Sequence, residues 1–173
     1  MAIKRILLPM DFSEPAEHAA VFARRLAEAC GATLHVLHVA QPVEVALPAP
    51  EVGVLLRKLP PDLNYFKKML DEFLERRLAD LHVPVVATVL TGRPWQTIAR
   101  YAVDSRTDLV VIGAPRRSLT RRLLWRSEAG SILKHAPCPV LVVPHTAAVR
   151  EPAGDFQIDD VSSVMVSAAQ AAC

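Results

Sequence analysis

Two short apolar runs in this 173-residue chain each end in a residue suited to binding a ligand. Asp11 follows the run at residues 6–9, and Gly113 follows the run at residues 109–112. An aspartate carboxylate can accept hydrogen bonds or hold a metal ion, and a glycine lets a ligand approach the backbone closely. If both runs are neighbouring parallel strands, these residues share one crevice at the carboxyl edge of the sheet.

A basic segment lies just beyond Gly113, at residues 116–126, and contains five arginines and no acid. A solvated loop and helix face is its simplest interpretation, and contact with an anion or a nucleotide is the second. Binding of nucleic acid is disfavoured, because only Trp125 interleaves with the arginines and the net charge of the chain is +2. We therefore expect no nucleic-acid partner.

Motifs for several kinds of catalysis are missing from the chain. It has no P-loop, no GxGxxG after the first apolar run and no GxSxG nucleophile elbow. His35 and His38 are three residues apart on a predicted strand, so they face opposite sides and cannot share a metal ion. Cys138 lies between two prolines and is expected to be an unreactive thiol. We expect neither a metal site nor dedicated catalysis.

Short apolar runs alternate with segments of helical periodicity along the chain, which predicts a doubly wound α/β domain with an open, parallel five-stranded sheet and helices on both faces. Gly31 is expected to end the first helix in a left-handed conformation. Strands are predicted at residues 6–9, 34–39, 83–90, 109–112 and 140–143, and helices at residues 15–30, 62–81, 95–103 and 127–134.

Two segments do not fit this alternation. Residues 40–61 are crowded with prolines and are interpreted as a long connection. We expect the domain to span residues 1–145, followed by a tail at residues 146–173 that is either a weak helix of small residues or disordered.

Composition and charge are those of a globular protein of the cytoplasm. Twenty basic residues nearly balance 18 acidic ones, so the charge gives no reason to expect a membrane partner. No apolar run reaches the roughly 18 residues of a membrane span. The three cysteines are an odd, widely spaced set that fits a reducing compartment.

The chain resembles the universal stress protein family over roughly residues 1–145. The resemblance is carried by ILLPMDFSEPAEHA, LHVLHV, GRPWQTI, DLVVIGAPRRS and RSEAGSILKHAPCPVLVVP. It implies a sheet ordered 3-2-1-4-5 and a homodimer joined near the fifth strand. It also implies a crevice for an adenine nucleotide, so that ATP or AMP is a possible ligand, although no cofactor is certain.

The candidate site residues are Pro9, Asp11, Val39, Gly113, Arg116, Arg126 and Ser127. Pro9 and Asp11 end the first strand, whereas Val39 and the phosphate-loop positions match nucleotide-binding positions of the family. Asp11 would contact a ribose, an adenine or a metal ion beside the phosphates, or would instead satisfy free amides at the start of the first helix, where Ser13 is expected to be the cap. Val39 would pack on adenine, or is an ordinary strand residue. Ser127 would contact phosphate, or only cap the following helix.

The phosphate loop departs from the family pattern, because Arg116 and Arg126 stand where the nucleotide-binding members have glycine. Glycine allows backbone amides to approach a phosphate, whereas an arginine side chain occupies that volume. Pro115 also removes one amide donor. In one outcome the pocket is partly closed and ATP binds weakly or not at all. In the other, the two guanidinium groups replace the lost donors. We favour the first outcome.

These observations predict a non-enzymatic stress-response protein with a degenerate nucleotide crevice. The alternative is an ATP- or AMP-binding switch with slow ATP hydrolysis, in which arginines clamp the phosphates. The homodimer is expected to form through the fifth strand (Val140, Leu141, Val142 and Val143), because prolines bracket a short, self-complementary sheet edge there.

Overall fold

The computed structural model describes residues 2–49, 53–114 and 128–144. Arg116, Arg126, Ser127 and the predicted tail lie outside these residues. The strands are Arg5–Pro9 (β1), Thr33–Ala40 (β2), Val43–Ala49 (β3), Gly53–Leu59 (β4), Val85–Thr91 (β5), Leu109–Ala114 (β6) and Val140–Pro144 (β7). The helices are Glu14–Cys30 (α1), Leu63–Arg77 (α2), Pro94–Asp104 (α3) and Glu128–His135 (α4).

Five of these strands form one parallel sheet in the order β5-β2-β1-β6-β7. Counted among themselves, they stand in the predicted order 3-2-1-4-5, so the predicted doubly wound α/β fold is confirmed. The chain leaves β1 toward β2 on one side, and it returns to β6 on the other side. The order of the sheet therefore reverses between β1 and β6, which is where open α/β sheets bind ligands.

Both faces of the sheet are covered, which explains why its central strands are apolar on both sides. On one face, Leu34 and Val36 of β2 belong to the core formed with α1 and α2. On the other face, Leu37 of β2 and Val110 of β6 pack with Ile98 of α3. Aromatic residues are scarce, so aliphatic side chains fill both cores.

Helix α1 begins and ends as its sequence predicts. The hydroxyl of Ser13 accepts a hydrogen bond from the amide of Ala16 at 3.4 Å, and Gly31 ends the helix with φ 60°. The buried residues of the helix are all alanines, namely Ala16, Ala19, Ala20, Ala23 and Ala27. Small side chains on this face let the helix backbone lie close to the sheet.

The prediction of a long connection at residues 40–61 is wrong. The segment contains the antiparallel hairpin β3-β4, in which Leu47 pairs with Leu55 and Glu44 with Lys58. Alternating apolar residues were the missed signal, because Pro48 lies inside β3 and its neighbouring prolines suggested a loop. The hairpin forms its own two-stranded sheet, and it exposes the large apolar side chains Val43, Leu47, Val54, Leu55, Leu56 and Leu59.

Candidate functional site

A cavity of about 400 Å³ lies at the carboxyl edge of the parallel sheet, at the reversal between β1 and β6. Its lining includes the end of β1 with Pro9 and Asp11, Val39 near the end of β2, and Gly113 near the end of β6. The starts of α1, α3 and α4 complete it. Four of the seven predicted site residues therefore meet in one cavity. The other three, Arg116, Arg126 and Ser127, lie outside the described residues.

One wall of the cavity is apolar, and we call it the apolar wall. It is built on the face of the sheet that α3 and α4 cover, and its members are Leu37, Val39, Ile98, Ile112 and Ile132. Val39 of β2 and Ile112 of β6 lie on strands of the sheet, and the helices contribute Ile98 of α3 and Ile132 of α4. A flat apolar ring is the kind of group that such a surface accepts.

The cavity also has polar lining residues, and we call them the polar rim (Asp11, Ser13, Gln41 and Glu128). Oδ1 of Asp11 accepts hydrogen bonds from the amide of Ser13 at 3.0 Å and from its hydroxyl at 2.5 Å. Because Ser13 in turn caps α1, the structural interpretation of Asp11 is observed. This role of Asp11 is compatible with binding of a ligand, since its carboxylate has a second acceptor oxygen.

Gly113 has a packing reason to be glycine that the sequence did not reveal. A Cβ at this position would lie 2.1 Å from the carbonyl oxygen of Pro15, at the start of α1. No side chain fits that distance, so the glycine lets β6 and α1 approach each other. The same closeness shapes the cavity, because Pro15 and Gly113 both line it.

His38 and Phe66 are cavity residues that sequence reasoning did not assign to the site. The ring of His38 lies between Phe66 and Phe12, at centroid distances of 4.5 and 4.8 Å. Its Nδ1 lies 2.7 Å from the carbonyl oxygen of Met10 and, as the protonated nitrogen, donates to it. The side chain is 7% exposed, so His38 packs beside the sheet.

His35 faces the opposite side of β2, as its spacing from His38 predicts. Its Nδ1 is 3.0 Å from the hydroxyl of Tyr101, which also lies 3.3 Å from Oγ1 of Thr88. Burial, with a smaller contribution from the charge of Arg5, lowers the pKa of His35 below its ordinary value. Among the described residues, no group of three or more His, Cys, Asp or Glu side chains could hold a metal ion.

Cys138 is half-buried, and burial raises the pKa of its thiol. A protonated thiol is a poor nucleophile, in agreement with the expected lack of reactivity. No helix within residues 2–49, 53–114 and 128–144 has the length and apolar character needed to cross a membrane.

Comparison with known proteins decides the family. A model of the universal stress protein family matches residues 2–144. The chain belongs to this family. A universal stress protein of Thermus aquaticus is 33% identical over 148 residues, which cover 81% of this chain and 98% of the relative.

Solved structures of the family share the fold. A universal stress protein in complex with cAMP superposes with a TM-score of 0.62 at 19% identity, covering 83% of this chain and 98% of the other. A universal stress protein from Archaeoglobus fulgidus in complex with dAMP gives a TM-score of 0.57 at 21% identity, covering 82% and 98%. At these identities the similarity establishes the fold alone.

Proposed function

We propose that this universal stress protein binds an adenine ligand in its cavity and acts through interaction rather than turnover, as a non-enzymatic stress-response protein of the cytoplasm. The observation that carries the proposal is that an apolar wall and a polar rim line one cavity, at the reversal of the sheet. The cytoplasmic location rests on the sparse, odd-numbered cysteines of the sequence.

The apolar wall suits the base of a nucleoside, and the polar rim suits its sugar. Val39 and Ile112 offer a surface on which a purine packs, and Asp11 offers a second carboxylate oxygen to a ribose hydroxyl. The solved relatives with cAMP and dAMP support an adenine ligand by analogy.

The phosphate-binding half of the site is degenerate in this proposal. Arg116 and Arg126 replace glycines of the family pattern, and Pro115 lacks an amide hydrogen. Gly113 also has the packing role described above, so its presence is no sign of a phosphate cradle. A triphosphate would therefore find few of the close backbone donors that normally hold it.

Isothermal titration of the full chain with adenosine, AMP and ATP tests the proposal. We expect adenosine to bind with a Kd of about 100 μM and ATP with a Kd of about 1 mM or weaker. Micromolar binding of ATP would contradict the degenerate half of the site. Failure of all three compounds to bind would contradict the adenine ligand itself.

A nucleotide switch with slow ATP hydrolysis is the second candidate function. It is favoured by the phosphate groups of the ligands named for two solved relatives. Here Arg126 would grip the phosphates, so Arg126→Ala would weaken ATP binding. Under our preferred account the same substitution leaves ATP binding weak or improves it, because it removes a bulky side chain.

We also propose that two copies of this chain pair through β7. This strand is the edge of the parallel sheet, and its residues from Val140 to Val142 are half-buried. The carbonyl of Pro139 accepts a hydrogen bond from the amide of Val110 in β6. By the alternation of a strand, the amide of Val142 therefore points to the open edge, where a second copy could accept its hydrogen bond.

Light scattering on Val142→Pro tests this pairing. Proline at that position removes an amide of the open edge without removing one that faces β6. We expect the wild-type protein to have the mass of a dimer and the variant that of a monomer. A monomeric wild-type protein, or a variant that remains dimeric, would contradict pairing through β7.

A further inference from the structure

The charged groups that line the described part of the cavity are both acidic. Among residues 2–49, 53–114 and 128–144, Asp11 and Glu128 line it, whereas no lysine or arginine of these residues does. A ligand in this cavity thus meets two carboxylates on its polar rim. These two carboxylates of the described residues disfavour negative charge on the ligand and leave a neutral ligand unaffected.

The position of Glu128 strengthens this effect. It is the first residue of α4, and the start of a helix normally attracts an anion through free amides and the helix dipole. Here the carboxylate of Glu128 itself stands in the first turn. Glu128 thus places a negative charge at the start of α4, where Ser127 was expected to contact a phosphate.

We propose that Glu128 is a specificity-determining residue, which makes the cavity select nucleosides over nucleotides that carry a charged 5′ phosphate chain. This inference rests on the proposed adenine site. The apolar wall retains the base, because its contacts do not depend on charge, and Glu128 disfavours each phosphate added at the rim. The order of affinity is therefore adenosine, then AMP, then ATP.

Glu128→Gln is the test, since it removes the charge and keeps the shape of the side chain. Glu72→Gln is the matched control: it makes the same change in net charge at an exposed residue of α2, which does not line the cavity. Affinities for adenosine, AMP and ATP are measured by titration calorimetry of the full chain at low salt. EDTA is present, so that no divalent cation neutralises the phosphates.

We expect Glu128→Gln to raise the affinity for ATP about tenfold and that for AMP about threefold, with adenosine unchanged. At about 0.5 M salt the gain should shrink to about twofold, because screening weakens exposed charges. Glu72→Gln should change no affinity by more than about twofold.

Two results would overturn the role of Glu128. The ratio of ATP to adenosine affinity could stay unchanged in Glu128→Gln, or the variant could bind ATP more weakly than the wild-type protein does. Both results are distinct from failure of the adenine site, in which the wild-type protein would not bind adenosine at all. Thermal unfolding of both variants confirms that any change in affinity occurs in a folded protein.

Discussion

The apolar wall and the polar rim of the cavity differ in how they are held. Val39 and Ile112 of the wall lie on central strands, where Val39 pairs with Leu90 of β5 and Ile112 pairs with Val142 of β7. Asp11 and Glu128 of the rim lie at the starts of helices or in the turn before one, and they touch solvent. We therefore propose that the wall is a fixed surface for a flat apolar group, and that the charges of the rim determine which of such ligands bind.

Gly113→Ala should have the largest effect, because it displaces elements next to both the polar rim and the apolar wall. The new Cβ would meet the carbonyl oxygen of Pro15, and α1 or β6 must move. We expect the free energy of unfolding to fall by about 3 kcal/mol and adenosine binding to be lost. Urea denaturation and calorimetry measure the two effects.

Gly53→Ala is the control for this glycine substitution. A Cβ at Gly53 meets no atom within 4 Å, although its φ of +81° disfavours alanine. We expect a loss of about 1 kcal/mol and unchanged adenosine binding. Equal losses of unfolding free energy in Gly113→Ala and Gly53→Ala would show that a small movement relieves the contact with Pro15 at little energetic cost.

Val39→Ala should change the wall alone. It removes apolar surface from the base, so the affinities for adenosine and ATP should fall together by about fivefold, which corresponds to about 1 kcal/mol. Val43→Ala, the same change on the exposed hairpin, should leave both affinities intact. If Val39→Ala weakened the binding of ATP but not that of adenosine, the proposed roles of the wall and the rim would be wrong.

The smallest effect concerns pH and a residue outside the cavity. The pKa of His35 is lowered in the folded protein, so the folded state favours the neutral ring. This contribution to stability is complete above the ordinary pKa of histidine, and it is lost as pH falls through the lowered folded-state value. We expect the free energy of unfolding to decrease between pH 7 and pH 5, and less so in His35→Gln.

His82→Gln provides the comparison for that titration, because His82 is exposed. It should retain the pH dependence of the wild-type protein. The ratio of adenosine to ATP affinity should be the same in His35→Gln and in the wild-type protein, since His35 does not line the cavity. A changed ratio would mean that the rim is coupled to this titration.

The parallel sheet could be predicted largely because its signals are local, whereas of the wall only Val39 was named, through the resemblance to the family. Apolar runs such as that of β6 and the turn residue Gly31 depend on near neighbours in sequence. The hairpin was missed because its prolines outweighed its alternation. His38 and Phe66 could not be placed in the site, since their contact joins β2 to α2 across the fold. Glu128 was missed because its place in the cavity lining depends on how α4 packs against α3 and the sheet.

The central claim, that the wall binds an adenine base, is tested most directly by NMR of isoleucine δ1-methyl groups during titration with adenosine. Ile98, Ile112 and Ile132 line the cavity, whereas Ile3 and Ile6 lie in the core on the α1 and α2 side. The account predicts that the signals of the first three shift, that those of the other two do not, and that ATP produces the same shifts only at about tenfold higher concentration. Unmoved signals of Ile98, Ile112 and Ile132 at millimolar adenosine would contradict it.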